Sequence, residues 1–309
     1  MKNFRKEILA ALLIIFISTS VTSQEKTSSA KESDNKIEKQ DKKRKKKKKK
    51  KKYKLPNIDL SNWKVTIPIA NEKGKPFEVS PPEILDYGNN ENLHRYMYND
   101  SSKGTLVFYT EPTSSTTKNT KYSRSELREQ MEPGSNSTNW TFEQGGIMKG
   151  KLAVKKISRA SDGKHHRTII MQIHGRLTNE QRELIGKDDN DAPPILKIYW
   201  DKGKIRVKTK ILKNINTPDN AVLFKDAWGD DEGFNFEQEV GFSKFTLEVR
   251  VSKGKLVVVL NNNEFKVYEN IHMDKWGVFE NYFKAGNYLQ TRDEGAFAEV
   301  HYYELEVTH

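Results

Sequence analysis

The stretch Tyr282-Phe283-Lys284-Ala285-Gly286-Asn287-Tyr288-Leu289-Gln290 constrains this chain most, because it alternates. Tyr282, Lys284, Tyr288 and Gln290 share one parity; Phe283, Ala285 and Leu289 share the other. Successive side chains of a strand point to opposite faces. Such a stretch therefore belongs in a sheet with one apolar face and one face carrying a cation, two phenols and an amide. Exposure to water alone does not require that set. Arg124-Ser125-Glu126-Leu127-Arg128 has the same character, with Arg124, Glu126 and Arg128 on one side and Leu127 on the other. In Gln172-Ile173-His174 the polar pair again shares a side. Laid side by side, the three would form a polar, concave floor over an apolar core.

The rest of the chain from Leu55 onward also has mostly strand character. Residues 63–69, 104–109, 244–251, 255–260, 264–268 and 301–307 read as strands. In the cleanest of them, Phe245, Leu247, Val249 and Val251 point inward between charges. Helical period is confined to two short segments, 81–87 and 179–185. Many short strands separated by turns predict an all-β fold, a jelly-roll β-sandwich. Two long polar loops, 178–194 and 214–235, stand out as binding loops or ordinary connections. The second carries Asp219, Asp226, Asp230, Asp231 and Glu232 without the spacing of a calcium loop, so it reads as solvated acid.

Charge separates the N-terminal region from this sandwich. Residues 1–52 hold 18 Lys and Arg against 6 Asp and Glu, whereas the remaining residues hold 36 of each sign. The formal net charge of +12 thus comes from the N-terminal region. Residues 1–23 have a basic start, an apolar run from Ile8 to Ile17 and small residues after it, the pattern of a secretory signal peptide. Residues 24–52 form a lysine-rich linker, expected to be disordered because so charged a block repels itself. It reads either as a solvated spacer or as an adhesive for an anionic surface or polymer. Export argues against nucleic acid as partner. The expected locations are secreted, cell-surface or periplasmic. The chain contains no cysteine, which removes disulfides, thiolate nucleophiles and cysteine metal sites. Residues 53–309 are expected to fold as one domain and to act as a monomer.

Arg-Ser-Glu-Leu-Arg, Gln-Ile-His and Tyr-Phe-Lys-Ala-Gly-Asn-Tyr-Leu-Gln, in that order, resemble the three signature blocks of the polysaccharide lyase 7 family of alginate lyases. The segment Asp59 to Thr66 is similar to that family's first strand. The resemblance covers roughly residues 55 to 309 and implies a jelly roll with a concave substrate cleft. It implies β-elimination on alginate, an acidic polysaccharide, with no redox cofactor and no metal. Arg124, Gln172, His174 and Tyr288 match the family's catalytic set. Arg128, Lys284 and Gln290 would line subsites, and Glu126 would hold Arg128 or Lys284 in place. Tyr282 stays open between a sugar platform and a packing residue. Isoleucine at position 173 implies tolerance of guluronate blocks. Leu289 stands where the family often has Asn, but its parity points it to the core.

The residue types suit that chemistry. The C5 proton of a uronate is barely acidic while the attached carboxylate is charged, so a catalyst must neutralise the carboxylate, take the proton and protonate the leaving O4. Arg124 offers a planar fork and Gln172 an amide donor for the first task. His174 suits a general base, and Tyr288 an acid. Tyr288 as base would need its pKa lowered by Arg124 or Lys284. Two other readings share these residues: a lyase on another polyuronate such as glucuronan, and a non-catalytic polyuronate-binding jelly roll. The second would not need both His174 and Tyr288. A glycoside hydrolase would need paired carboxylates, which the three blocks lack.

Overall fold

In the computed structural model, residues 54–116 and 120–309 are described. The proposed signal peptide and lysine-rich linker lie outside them. Two sheets face each other. In the first, the strand order is Glu264–Glu269, Lys255–Leu260, Phe245–Ser252, Gly146–Ile157, Ala298–Thr308, Thr105–Thr110, Met97–Asp100, with the short Asn57–Ile58 strand parallel to Ala298–Thr308. In the second, the order is Trp228–Asp230, Lys204–Leu212, Leu196–Asp201, Arg167–Arg176, Glu280–Leu289, Arg124–Glu129, Trp63–Ala70, Pro76–Val79. Every neighbouring pair along these two paths is antiparallel. This is the expected all-β jelly-roll sandwich.

The apolar parity of each strand fills the space between the sheets. Val65, Ile67, Leu127, Met171, Ile173, Phe283, Ala285 and Leu289 from the second sheet meet Leu152, Val154, Phe245, Leu247, Val249, Val300 and Tyr302 from the first. Each large side chain buried this way contributes roughly 1.5–3 kcal/mol. Trp140, Trp200 and Trp276 are buried, in keeping with a packing role.

Local structure departs from the simple pattern in one strand and one helix. The closing strand does not alternate evenly. Its pairing with Gly146–Ile157 slips between Tyr302 and Glu304, so Tyr302 and Leu305 are both buried. A β-bulge turns adjacent side chains out of simple alternation. Helix is also slightly richer than the sequence pattern predicts. Asn179–Leu184 forms with a Thr178 capping box, and Glu83–Asn89 is 3-10 helix, but Ile271–Trp276 was not anticipated. Asn270 caps that third helix by accepting from the backbone N–H groups of His272 and Met273.

Candidate active site

The three polar stretches are adjacent strands of the second sheet, with Glu280–Leu289 in the middle. Lys284 faces Arg128 on one side and Gln172 on the other. Tyr282 faces His174, and Tyr288 faces Arg124. Cross-strand partners share a sheet face, so all of these residues stand on the concave floor.

One carboxylate organises the centre. Glu126 is 1% exposed. It accepts a hydrogen bond from Gln172 Nε2 at 2.5 Å and an ion pair from Lys284, and it lies 4.0 Å from Arg124 Nε. The expectation that Glu126 steadies Lys284 agrees with these contacts. The alternative, Arg128, does not. Arg128 donates instead to the backbone oxygens of Glu129 and Asn136 and to Asn139 Oδ1. Glu126 is too deeply buried to line the cleft as a substrate-binding residue. Burial lowers the Lys284 pKa to about 8, although Glu126 pulls the other way. Among the described residues, Arg124 Nε is buried without a hydrogen-bond partner. Its nearest carboxylate oxygen is that of Glu126, on the buried side of the floor.

His174 and Tyr282 stack with ring centroids 5.3 Å apart and planes 13° from parallel. The Arg128 guanidinium covers Tyr282, 4.1 Å from the ring centroid. Tyr282 is thus a packed layer between a cation and the imidazole, and the sugar-platform role is not what its contacts favour. His174 Nδ1 lies 2.9 Å from Gly175 O. A carbonyl only accepts, so Nδ1 carries the proton and Nε2 keeps its lone pair. Burial, followed by the charge of Lys284, lowers the His174 pKa to about 3, with Lys225 and Arg124 adding to the effect. The imidazole is neutral at physiological pH.

Tyr288 has the opposite character. Burial raises its pKa, while Arg124, 5.9 Å from the ring centroid, and backbone hydrogen bonds with Tyr122 and Lys121 only partly oppose this. The phenol is held protonated, as suits an acid. The expected lowering by Arg124 and Lys284, which a tyrosinate base would need, is outweighed by desolvation.

The floor is not evenly pleated around Tyr288. Glu280–Leu289 stays in register with Arg124–Glu129 but slips against Arg167–Arg176 after Ala285, leaving Tyr288 opposite Ile169. Gly286 has φ +144, and a Cβ there would meet Ser125 O at 2.6 Å, so glycine is required. Tyr302, reaching across from the other sheet, accepts from Gly286 N–H and donates to Ile170 O. Asn287 turns inward. It donates to Phe108 O and Ala298 O of the other sheet and accepts from Thr168 Oγ1. Gln290 lies just past the strand end, and one N–H of its amide donates to Tyr288 O.

A cleft of about 240 Å³ opens beside this floor, lined by residues including Arg124, Arg128, Lys284 and Tyr282. Its wall adds Lys64, Thr66, Glu78, Arg176, Asn190 and Asp191, none of them anticipated as site residues. Lys64 and Thr66 both donate to Glu78 on the neighbouring strand. For these two, the polar parity of residues 63–69 was an available signal; for Asp191 the signal was only its place in the long polar loop 178–194. A larger cavity of about 690 Å³ lies elsewhere, lined by residues such as Asn57, Lys149, Glu304 and His309, and contains none of the floor residues. The acidic residues of the 214–235 loop are largely paired: Asp219 with Lys275, Asp230 with Lys210, Asp231 with Thr209.

Comparison with known proteins agrees with this geometry. A family model described as alginate lyase matches residues 58–309. The chain is 24% identical over 285 residues to an alginate lyase of Klebsiella pneumoniae, covering 81% of this chain and 89% of that protein. Among solved structures, alginate lyase A1-II', a member of polysaccharide lyase family 7, superposes with a TM-score of 0.64 at 29% identity, covering 82% of this chain and 96% of that one. A variant of the same enzyme in complex with the substrate GGMG gives 0.64 at 28% identity, with 82% and 94% covered.

Proposed function

This chain belongs to the alginate lyase family, within polysaccharide lyase family 7, and on that premise we propose how its floor performs the elimination. The carrying observation is the division of labour on one sheet face: a neutral imidazole with a free Nε2, a protonated phenol, and between them a buried Glu126 that holds Lys284 and Gln172. The substrate carboxylate is received by the Arg124 guanidinium, which lines the cleft, and by the second N–H of the Gln172 amide. Both donors are fixed before substrate arrives, which is where electrostatic stabilisation of an enolate-like transition state is strongest. His174 Nε2 takes the C5 proton of a guluronate unit. The electron pair forms the C4–C5 double bond as the C4–O4 bond breaks, and Tyr288 supplies the proton to O4.

Substrate binding also strengthens the base. A bound carboxylate offsets the charges of Arg124 and Lys284, two of the groups that depress the His174 pKa. Guluronate-containing blocks are favoured by His174 as a separate base and by the relative that binds GGMG. Arg128, whose guanidinium is committed to Tyr282 and to the 135–139 turn, shapes the cleft rather than searching for substrate. The exported chain would use its lysine run to hold the polyanion near the cleft, since the sandwich itself is formally neutral.

The test is ultraviolet absorbance of the purified protein mixed separately with polyguluronate, polymannuronate and glucuronan. Elimination creates a conjugated double bond and reports itself. A rise on polyguluronate that His174→Asn reduces more than the rise on polymannuronate is the expected result. Equal loss on both polymers would remove His174 as the guluronate-specific base. A rise on glucuronan alone would change the substrate.

A further inference from the structure

The two long loops meet over the base. Asp191, at the end of the first, places Oδ1 3.8 Å from His174 Nε2. Its other oxygen, Oδ2, is paired with Lys225, from the 3-10 turn Lys225–Ala227 in the second loop. Asp191 is anchored as well as paired. It bridges to Arg176 on the histidine strand, its backbone N–H donates to Asp189 Oδ1, and its backbone oxygen accepts from Lys187 Nζ. Neighbouring Asn190 donates to Leu177 O and Asn179 Oδ1, and Pro193 O accepts from Gly175 N–H, so the loop is tied back on both sides of the carboxylate.

We propose that Asp191 is a positioning residue that sets the basicity of His174, and that Lys225 meters its effect. The proposal rests on His174 acting as base. Nδ1 is already committed to Gly175 O, so the proton taken from C5 must arrive on Nε2, the nitrogen that faces Asp191. The new imidazolium N–H then finds a carboxylate within reach. The charged groups that depress the pKa of the ring are cations: Lys284 from the central strand, Arg124 from the strand beyond it, and Lys225 from the loop, while the floor's own anion, Glu126, is taken up by Lys284 and Gln172. Tyr282, stacked on the ring face, is held protonated by its own burial. Without Asp191 the protonated ring would face these cations with no carboxylate near Nε2, since Glu126 is committed to Lys284 and Gln172. Lys225 offsets the charge of Asp191 in the resting enzyme, so the ring does not take a proton from solvent before substrate binds and stays able to act as a base.

Removing the two partners should act in opposite directions. Asp191→Asn should lower the His174 pKa, move the acid limb of the kcat profile down in pH, and cost roughly tenfold in kcat on polyguluronate with little change in KM. Lys225→Met should raise the His174 pKa and move the acid limb up. Asp191→Glu should recover part of the lost rate. The His174 titration is read directly by NMR of the imidazole carbons in the full chain, independently of turnover. Opposite shifts in the two variants, with the kcat loss in the first, support the proposal. Shifts of the same sign, an unmoved His174 titration in Asp191→Asn, or a moved titration with unchanged kcat would each overturn it. A wild-type rate that survives His174→Asn would instead overturn the base assignment beneath it, and the NMR titrations keep the two failures apart. If Asp191→Asn does not fold, Lys225→Met alone decides, since a downward or absent shift in that variant contradicts the proposal.

Discussion

Replacing Glu126 with Gln tests whether one buried carboxylate holds the floor together. The change keeps the size of the side chain and removes its charge. Two consequences follow from the contacts. Lys284, 7% exposed, loses its counter-ion, and the Gln172 amide loses a charged acceptor. Breaking one side of a buried pair typically costs about 3–5 kcal/mol when the survivor must stay charged. Lys284 has an escape, because its pKa is already down at about 8, and without Glu126 it falls further and sheds its proton near neutral pH. That relief brings the expected loss to about 2–4 kcal/mol, including about 1 kcal/mol for the weakened amide contact. For a domain of this size the corresponding drop in Tm is roughly 4–16 °C.

The sign of the pH dependence gives an independent check. Lys284 binds its proton more weakly folded than unfolded, so the unfolded state holds more protons and stability rises with pH between about 8 and 10.5. In Glu126→Gln that rise should begin below pH 8. Urea titrations of both proteins across this range supply both numbers. The double variant Glu126→Gln with Lys284→Met should regain part of the lost stability, since it removes the most deeply buried unpaired charge and leaves only Arg124 without its carboxylate. Activity should fall at least a hundredfold in the single variant, because Gln172 is released from its orientation. A single variant within about 0.5 kcal/mol of wild type, or a double variant less stable than the single, would refute the organising role.

Tyr288→Phe should lose at least a thousandfold in kcat on alginate while polymer binding, measured by affinity electrophoresis, stays within a few fold; near-normal turnover would remove the phenol as acid. Gly286→Ala should cost at least about 2 kcal/mol of stability by chemical denaturation, because the new methyl meets Ser125 O at 2.6 Å in a backbone that already has φ +144. Deleting residues 24–52 should leave the rate on short alginate oligomers unchanged and should abolish the salt-sensitive part of retention on an alginate column; an equal loss on oligomers would contradict a tethering role.

Parity in the sequence was enough to place Arg124, Gln172, His174, Lys284 and Tyr288 on one face, because a sheet with one face on a core leaves its register little freedom. It was also enough to send Leu289 inward, where it is buried. What parity could not convey was how the polar residues spend their donors. Gln290 and Arg128 have the right side chains for a sugar acid, yet Gln290 spends one N–H on Tyr288 O, and Arg128 donates to oxygens of Glu129, Asn136 and Asn139 that only the folded turn brings near. The bulge was hidden for a related reason. Gly286 marks it, but the slip depends on Tyr302 and Asn287 supplying hydrogen bonds from and to the opposite sheet. Asp191 and Lys225 were invisible because loops carry no period, and their meeting depends on how two segments 34 residues apart fold over the same strand.

The slip at Gly286 also sets a length. With even pairing, Tyr282 opposite His174 would leave Tyr288 opposite Thr168; the extra residue brings it to Ile169 instead. That is one residue's rise, about 3.3 Å, nearer to His174 along the strand. The gap between the group that receives a proton and the group that gives one up is therefore cut into the main chain. Side-chain rotation can fine-tune that span but not restore it, so Tyr302, reaching over from the opposite sheet to hold Gly286 and Ile170, works as the gauge block of the reaction.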